Sequence, residues 1–263
     1  MNFRIVQLTD CHLFADPTRE LRGVHTWPRF LAACETIRNQ FADLDCLVIT
    51  GDIAHDDQAA TYDAVKRELG NFLGRTLIIP GNHDERQLLH RSFAEGCAWV
   101  GDRLTFTRQL GEWRLIGLDS QLTGEGAGLV GDAQLDWLSE QLQAASSLNI
   151  MVFVHHPPIR VGSAWLDAIG LRDTDKLLSL VREFANVRGV ICGHVHQECC
   201  QSIGATSVYT TPAIGPQFRP ETVEPVIEDS PPGARLICLE PDGHWTTQVL
   251  RFNIHQSPTL PSE

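Results

Sequence analysis

Gly81-Asn82-His83-Asp84 follows the apolar run Thr76-Leu77-Ile78-Ile79-Pro80, and the reading of the fold turns on this junction. A short aliphatic run bounded by turn formers predicts a buried strand over 76–80. Gly81 then frees the backbone to turn, and an amide, an imidazole and a carboxylate stand in a row. A buried strand has little structural use for three polar side chains at its end.

The same arrangement recurs on both sides. Upstream, residues 3–9 read as a strand ending at Thr9-Asp10-Cys11-His12, and Cys46–Thr50 as one ending at Gly51-Asp52. Downstream, Ile150–Val154 runs into His155-His156-Pro157-Pro158, and Gly189–Cys192 into Gly193-His194-Val195-His196. Helical patterns fill the intervals: from Trp27-Pro28 to about Phe41, then about 57–69, 85–94, 132–145 and 173–185. Pro28 sits in a first helical turn, where its missing N–H is harmless. Segments 13–26, 123–131 and 157–172 read as loops. Two shorter strand-like runs, 104–108 and 113–118, precede the fourth helix. Beyond residue 199 the pattern turns to strands (206–210, 234–240, 245–252), with Pro/Gly-rich 212–233 between the first two and a frayed tail expected at about 256–263.

Alternating strands and helices predict a layered α/β architecture. Antiparallel pieces in the middle and at the end point to two mixed sheets. No repeat or linker interrupts the chain, so a single domain over 1–263 is expected.

In open α/β sheets ligands bind at the carboxyl ends of strands, so side chains from five strand ends can converge. Six of the eleven histidines fall in these clusters; His25, His55, His90, His244 and His255 do not. Histidine with carboxylate suits Mn, Fe, Co, Ni or Zn. The i, i+2 spacing of Asp10 with His12, and of His194 with His196, predicts two ligands on one side of an extended segment. One ion needs three or four protein ligands. Seven good candidates exceed that and predict two ions sharing a bridge. Singly, each cluster has an ordinary reading: a lone strand-end histidine packs, Asp10 or Asp84 caps a turn or helix, Gly51-Asp52 is a turn. Five together, each directly after a buried strand, do not.

Asp-x-His, Gly-Asp, Gly-Asn-His-Asp, His-His-Pro and Gly-His-x-His in this order resemble the calcineurin-like metallophosphoesterases over about residues 3–210. Within them the chain is most similar to the class III cyclic nucleotide phosphodiesterases, in particular the bacterial enzymes acting on 3',5'-cyclic AMP. Supporting stretches are Thr9–Phe14, Gly23–Trp27, Ser163–Asp167, Cys192–Glu198 and Pro216–Pro220, although Cys11 and His25 stand where threonine and asparagine are expected. The resemblance implies a four-layer α-β-β-α sandwich. It implies one metal on Asp10, His12 and His196, another on Asn82, His155 and His194, and Asp52 as the bridge. It implies iron or manganese, with zinc or cobalt as further possibilities. Of the adjacent pair, His155 is the implied ligand, and His156 packs or hydrogen-bonds behind it.

For such a pair of ions the expected chemistry is in-line attack on phosphorus by a hydroxide held between them. The 3'-oxygen of a cyclic nucleotide leaves poorly, and His83 is the best candidate to protonate it. Asp84 would orient that imidazole or cap a turn. Asn82, His83 and His12 count as cofactor-binding. Trp165 and Phe218, in loops 157–172 and 212–220, would border the pocket, where either stacks on a base or packs. The same core serves glycerophosphodiesterases, nucleotidases and phosphoprotein phosphatases, and these stay open. The purple acid phosphatase variant is disfavoured, since the only tyrosines, Tyr62 and Tyr209, are far in sequence from the ligand clusters. A non-catalytic binding module would be expected to lack ligands or His83.

Composition narrows the partners. A formal net charge of -12 over 263 residues, without a basic cluster, disfavours nucleic acid. No run approaches the length of a membrane span, and the N-terminus lacks a signal pattern. A cytoplasmic protein is therefore expected, as a monomer or homodimer, and the resemblance implies a small cyclic nucleotide as its substrate. The eight cysteines read as free thiols, with adjacent Cys199-Cys200 the one oddity.

Overall fold

The computed structural model describes residues 1–254, so the expected frayed tail lies outside the described residues. The elements in chain order are β1 (Phe3–Leu8), β2 (Glu20–Leu21), β3 (Val24–His25), α1 (Thr26–Gln40), β4 (Cys46–Thr50), α2 (Ala59–Leu69), a 3-10 helix (Gly70–Arg75), β5 (Thr76–Ile79) and α3 (Arg86–Phe93). Then follow β6 (Ala98–Val100), β7 (Arg103–Leu110), β8 (Trp113–Leu118), α4 (Asp132–Ala144), β9 (Asn149–Val154), α5 (Ala164–Asp167), α6 (Thr174–Glu183) and β10 (Val187–Cys192). The chain continues through β11 (Cys199–Ile203), β12 (Thr206–Thr210), β13 (Gln217–Phe218), β14 (Ile227–Glu228), β15 (Gly233–Leu239) and β16 (Trp245–Arg251).

Side-chain alternation along the strands builds the layers. In β1, Val6 faces outward onto helices while Ile5 faces the other sheet; in β4, Leu47 and Ile49 face out, Cys46 and Val48 in. These outward residues meet Phe30, Ile37, Tyr62, Val65 and Leu89 of α1, α2 and α3. In β9, Ile150, Val152 and Val154 face α4 and α6, meeting Leu138, Leu142, Leu177 and Val181. Met151 and Phe153 turn inward, and with Ile5, Val48, Ile79 and Ile191 they form the layer between the sheets. Three apolar clusters thus separate four layers, α-β-β-α, as expected.

The first sheet has the order β16-β15-β1-β4-β5, with β1, β4 and β5 parallel and β15 antiparallel to β1. The second has the order β11-β12-β10-β9-β8-β7-β6, parallel through β12, β10, β9 and β8. Both sheets are mixed. Each strand that carries a polar cluster stops at or one residue before it.

Several short elements fall where loops were expected. β2 and β3 pair within 13–26, α5 lies within 157–172, and β13 and β14 pair within 212–233. Two-residue strands are too short to show a period. β6 and β11 were missed for a related reason: β11 is an edge strand exposed over most of its length and shows no apolar alternation.

Candidate metal centre

All seven implied ligands meet at the carboxyl ends of β1, β4, β5, β9 and β10. The i, i+2 pairs do so by a route the sequence reading missed. Their segments are not extended: φ is 53° at Asp10, 48° at His12, 69° at His194 and 54° at His196, and Asp52 stands at 52°. Five non-glycine residues in the left-handed region concentrate strain of about 1–3 kcal/mol each at one place, a habit of functional sites. Cys11 and Val195 between them are buried. Glycines permit the close approach. A Cβ on Gly51, at φ 93°, would stand 2.8 Å from His155 Nδ1; one on Gly81 would collide with the Asp52 carboxylate.

Hydrogen bonds fix which atom of each ring faces the centre. A carbonyl oxygen only accepts, so the nitrogen beside it carries the proton. His155 Nδ1 donates to Thr50 O (2.6 Å), His196 Nδ1 to Pro216 O (2.6 Å) and His194 Nε2 to Ile169 O (3.1 Å). The opposite nitrogens therefore present lone pairs inward. Asp10 Oδ2 accepts from His194 N (2.9 Å) and Thr9 Oγ1 (2.7 Å), and Asp52 Oδ1 from His83 N (2.9 Å). Asp10 Oδ1 and Asp52 Oδ2 are left facing inward.

What meets there is a set of acceptors. His12 Nε2 is 3.2 Å from His196 Nε2. Asp52 Oδ2 lies 3.6 Å from His12 Nε2 and 3.5 Å from His155 Nε2. Asn82 Oδ1 lies 3.2 Å from His155 Nε2 and 3.1 Å from His194 Nδ1. Asp10 Oδ1, fully buried, has no hydrogen-bond partner among the described residues, with His196 Nε2 at 3.3 Å and His155 Nε2 at 4.0 Å. Carboxylate oxygens, an amide oxygen and ring nitrogens converging on one place fit cations. Among the described residues, proximity gives four groups that could hold an ion: Asp10-His12-His196, Asp10-Asp52-His155, His155-His156-His194 and His12-His55-His83.

Electrostatics follows from the crowding. Burial opposes charge on both carboxylates, yet the imidazoles around them hold Asp10 down at about 2 and Asp52 well below the usual range. Burial lowers His194 to about 3 and His12 well below its ordinary value. Burial also opposes charge on His155, but Asp52 and Asp10 outweigh it and raise the ring to about 9.

The remaining residues sort by their contacts. His156 is turned aside: Nδ1 meets Ser120 Oγ (2.8 Å) and Nε2 Gly126 O (3.1 Å), the supporting position expected for it. His83 is exposed, with its ring 5.1 Å from that of His12. Of the two readings of Asp84, the turn cap agrees with its contacts and the orientation of His83 does not. Its Oδ1 accepts from Ile53 N (3.1 Å), Ala54 N (3.2 Å) and Tyr62 Oη (3.1 Å), and its Oδ2 from Gly81 N (2.9 Å). It ties two ligand loops together and does not orient His83. Nor does it cap α3: Glu85 does, accepting from Gln87 N and Leu88 N. Burial and the charge of Asp52 push Asp84 up to about 7.

Two features were not foreseen. Gln121 Nε2 donates to Gly81 O (2.8 Å) and Asp84 O, clamping the turn from the far side. His55 comes within 3.1 Å of His12, Nδ1 to Nδ1, and its ring stacks on His83 at 4.5 Å. The available signal was its place three residues past Asp52, on the same strand-end loop.

A cavity of about 570 Å³ opens over the centre, lined by His12, Asp52, Asn82, His83, His194 and His196 on its floor, with Arg22, Trp165 and Phe218 on its walls. Both aromatic residues expected at its border are there. Phe218 is buried, stacked on His196 at 4.7 Å, with Trp165 edge-on to it at 4.9 Å. A second cavity of about 800 Å³ adjoins it across His55, Asn82 and His83.

The arrangement agrees with known proteins. A dimetal phosphatase from Danio rerio superposes with a TM-score of 0.64 at 18% identity, covering 95% of this chain and 99% of that one, which shows a shared fold. The chain belongs to the calcineurin-like phosphoesterases, whose family pattern it matches over residues 3–198. Among its relatives, the 3',5'-cyclic adenosine monophosphate phosphodiesterase CpdA of Escherichia coli K12 is 33% identical over 95% of this chain and 90% of its own length. The 3',5'-cyclic-nucleotide phosphodiesterase alr5338 of Nostoc is 31% identical over 97% of this chain and 96% of its own length. No helix among the described residues is long and apolar enough to cross a membrane.

Proposed function

We propose that this chain is a dinuclear-metal phosphodiesterase that hydrolyses 3',5'-cyclic AMP to 5'-AMP. The observation that carries the reading is the convergence of Asp10 Oδ1, Asp52 Oδ2, Asn82 Oδ1 and the inward nitrogens of His12, His155, His194 and His196. Asp10, His12 and His196 would hold one ion, and Asn82, His155 and His194 the other. Asp52, whose Oδ2 lies 3.6 and 3.5 Å from His12 and His155, would be shared between them. Iron or manganese suits this nitrogen–oxygen set, as do zinc and cobalt. Such ions lower the pKa of water and neutralise phosphate charge.

The chain's own groups do the rest. The cavity floor seats the phosphodiester against the ligand cluster, and Arg22 and Trp165 border the nucleoside. His83, exposed at that floor, carries the proton that the departing 3'-oxygen needs. Asp84 and Gln121 hold its turn in place. The names of the relatives support a cyclic nucleotide as substrate. The charge of -12 argues against polymeric nucleic acid. The whole chain works as one domain, as a monomer or homodimer, in the cytoplasm where such nucleotides are handled.

The test is a comparison of kcat/KM for 3',5'-cyclic AMP, an aryl phosphodiester and an aryl phosphomonoester with manganese-loaded protein. Preference for cyclic AMP, with 5'-AMP as sole product, is expected. Preference for either aryl ester with feeble cyclic AMP turnover would replace the substrate and keep the metal centre.

A further inference from the structure

His12 differs from the other ring ligands in what supports it. His155, His194 and His196 each donate their outer N–H to a backbone carbonyl. His12 has instead a side chain, the Nδ1 of His55 at 3.1 Å. One proton lies between two such nitrogens. With His12 Nε2 turned to the acceptor cluster, Nδ1 of His12 carries that proton and His55 Nδ1 accepts it. His55 is itself fixed. Its N–H donates to Leu13 O (2.8 Å), Leu13 N donates to Ile53 O (2.8 Å), and buried Phe14 packs edge-on to its ring at 5.2 Å. The face of the same ring stacks on His83 at 4.5 Å and 29°.

The geometry points to His55 as a positioning residue shared by the two halves of the chemistry, bracing the ligand His12 through Nδ1 and the proton donor His83 through its ring face. This rests on the dinuclear-metal reading above. The hydrogen bond fixes the tautomer and orientation of His12 and so acts on metal affinity. The stack confines an otherwise exposed His83 and so acts on turnover.

Two variants separate the contacts. His55→Gln keeps an oxygen that can accept from His12 Nδ1 but loses the aromatic face. His55→Phe keeps the face but loses the acceptor. The first readout is titration of metal-free protein with Mn²⁺ against a chelator, and the second is kcat on cyclic AMP at saturating metal. His55→Phe should weaken at least one metal-binding step by about 10- to 100-fold and retain kcat once loaded. His55→Gln should bind metal within about threefold of the parent and lose kcat by about three- to tenfold, the worth of an aromatic pair. If the Phe variant does not fold, His55→Leu serves for the metal arm. Equal losses in both variants, no loss in either, or full turnover by the Gln variant overturn the shared role. A parent chain that binds fewer than two ions overturns the dinuclear reading itself, and this inference with it; a parent that binds two ions while the variants fail to cross overturns this inference alone.

Discussion

At the scale of single residues, the groups that hold charge are distinct from the group that moves a proton. The His83 ring pairs with no carboxylate among the described residues; only its backbone N–H meets Asp52, and the residue is exposed. His83→Ala should therefore lower kcat on cyclic AMP by about 10²- to 10⁴-fold while the bound metal, measured by elemental analysis, stays at parental content. Parallel loss of both would make His83 a ligand. Asp84 behaves differently. Its carboxylate satisfies three backbone N–H groups and the Tyr62 hydroxyl. Asp84→Asn cannot accept all four and should cost about 1–3 kcal/mol in denaturant unfolding, with His83 still in place. Metal uptake carries a pH signature. In metal-free protein the His155 ring, raised to about 9, keeps its proton at neutral pH, and a cation must displace it. Affinity should climb by about tenfold per pH unit and level off above about pH 9. Asp10 at about 2 and His194 at about 3 are already deprotonated and add no slope there. The ligand types were legible because polar residues directly after buried strands have no packing role. The contacts of Asp84 and the approach of His55 were not, because both depend on how two loops from different strands pack. The left-handed backbone at Asp10, His12, His194 and His196 was equally hidden, since i, i+2 spacing is also what an extended segment would show.

At the scale of elements, the site depends on two sheets meeting in register at one end. Beneath the ligands a buried polar bridge joins them. Gln7 Nε2 of β1 donates to Thr50 Oγ1 (2.7 Å) in its own sheet and to Cys192 O (3.2 Å) in the other, while its Oε1 accepts from Thr211 Oγ1 (2.5 Å). Gln7→Leu leaves these partners unpaired and should destabilise the fold by about 1–3 kcal/mol, read as a lower denaturant midpoint with unchanged slope. An unchanged midpoint would mean the bridge is incidental. The strands that lead into the site were readable because each carries an apolar run close before its polar cluster, such as Leu47-Val48-Ile49 in β4 and Ile150–Val154 in β9, as strands buried on both faces do. The short pairs β2–β3 and β13–β14 were not, having too few residues to show a period. They matter to the pocket all the same, since Arg22 of the β2–β3 turn and Phe218 of β13 line it.

At the scale of the whole molecule, the chain carries a net charge of -12 and gathers carboxylates and imidazole lone pairs at the open end of its sandwich. Removing metal from such a centre leaves acceptors facing acceptors, so a chelator should lower the unfolding temperature, and re-addition of metal should restore it in proportion to the logarithm of free metal. The four-layer order was legible from strand–helix alternation, but the pairing of β15 and β16 onto β1 was not, because antiparallel return strands carry no marker of which edge they join. The central claim is that five strand ends build one centre for two ions. The most direct measurement is the number of metal ions bound per chain, followed together with turnover of cyclic AMP as metal-free protein is titrated with Mn²⁺. Two ions per chain are expected, with activity appearing as the second site fills. Saturation at one ion, or full activity without metal, would contradict it.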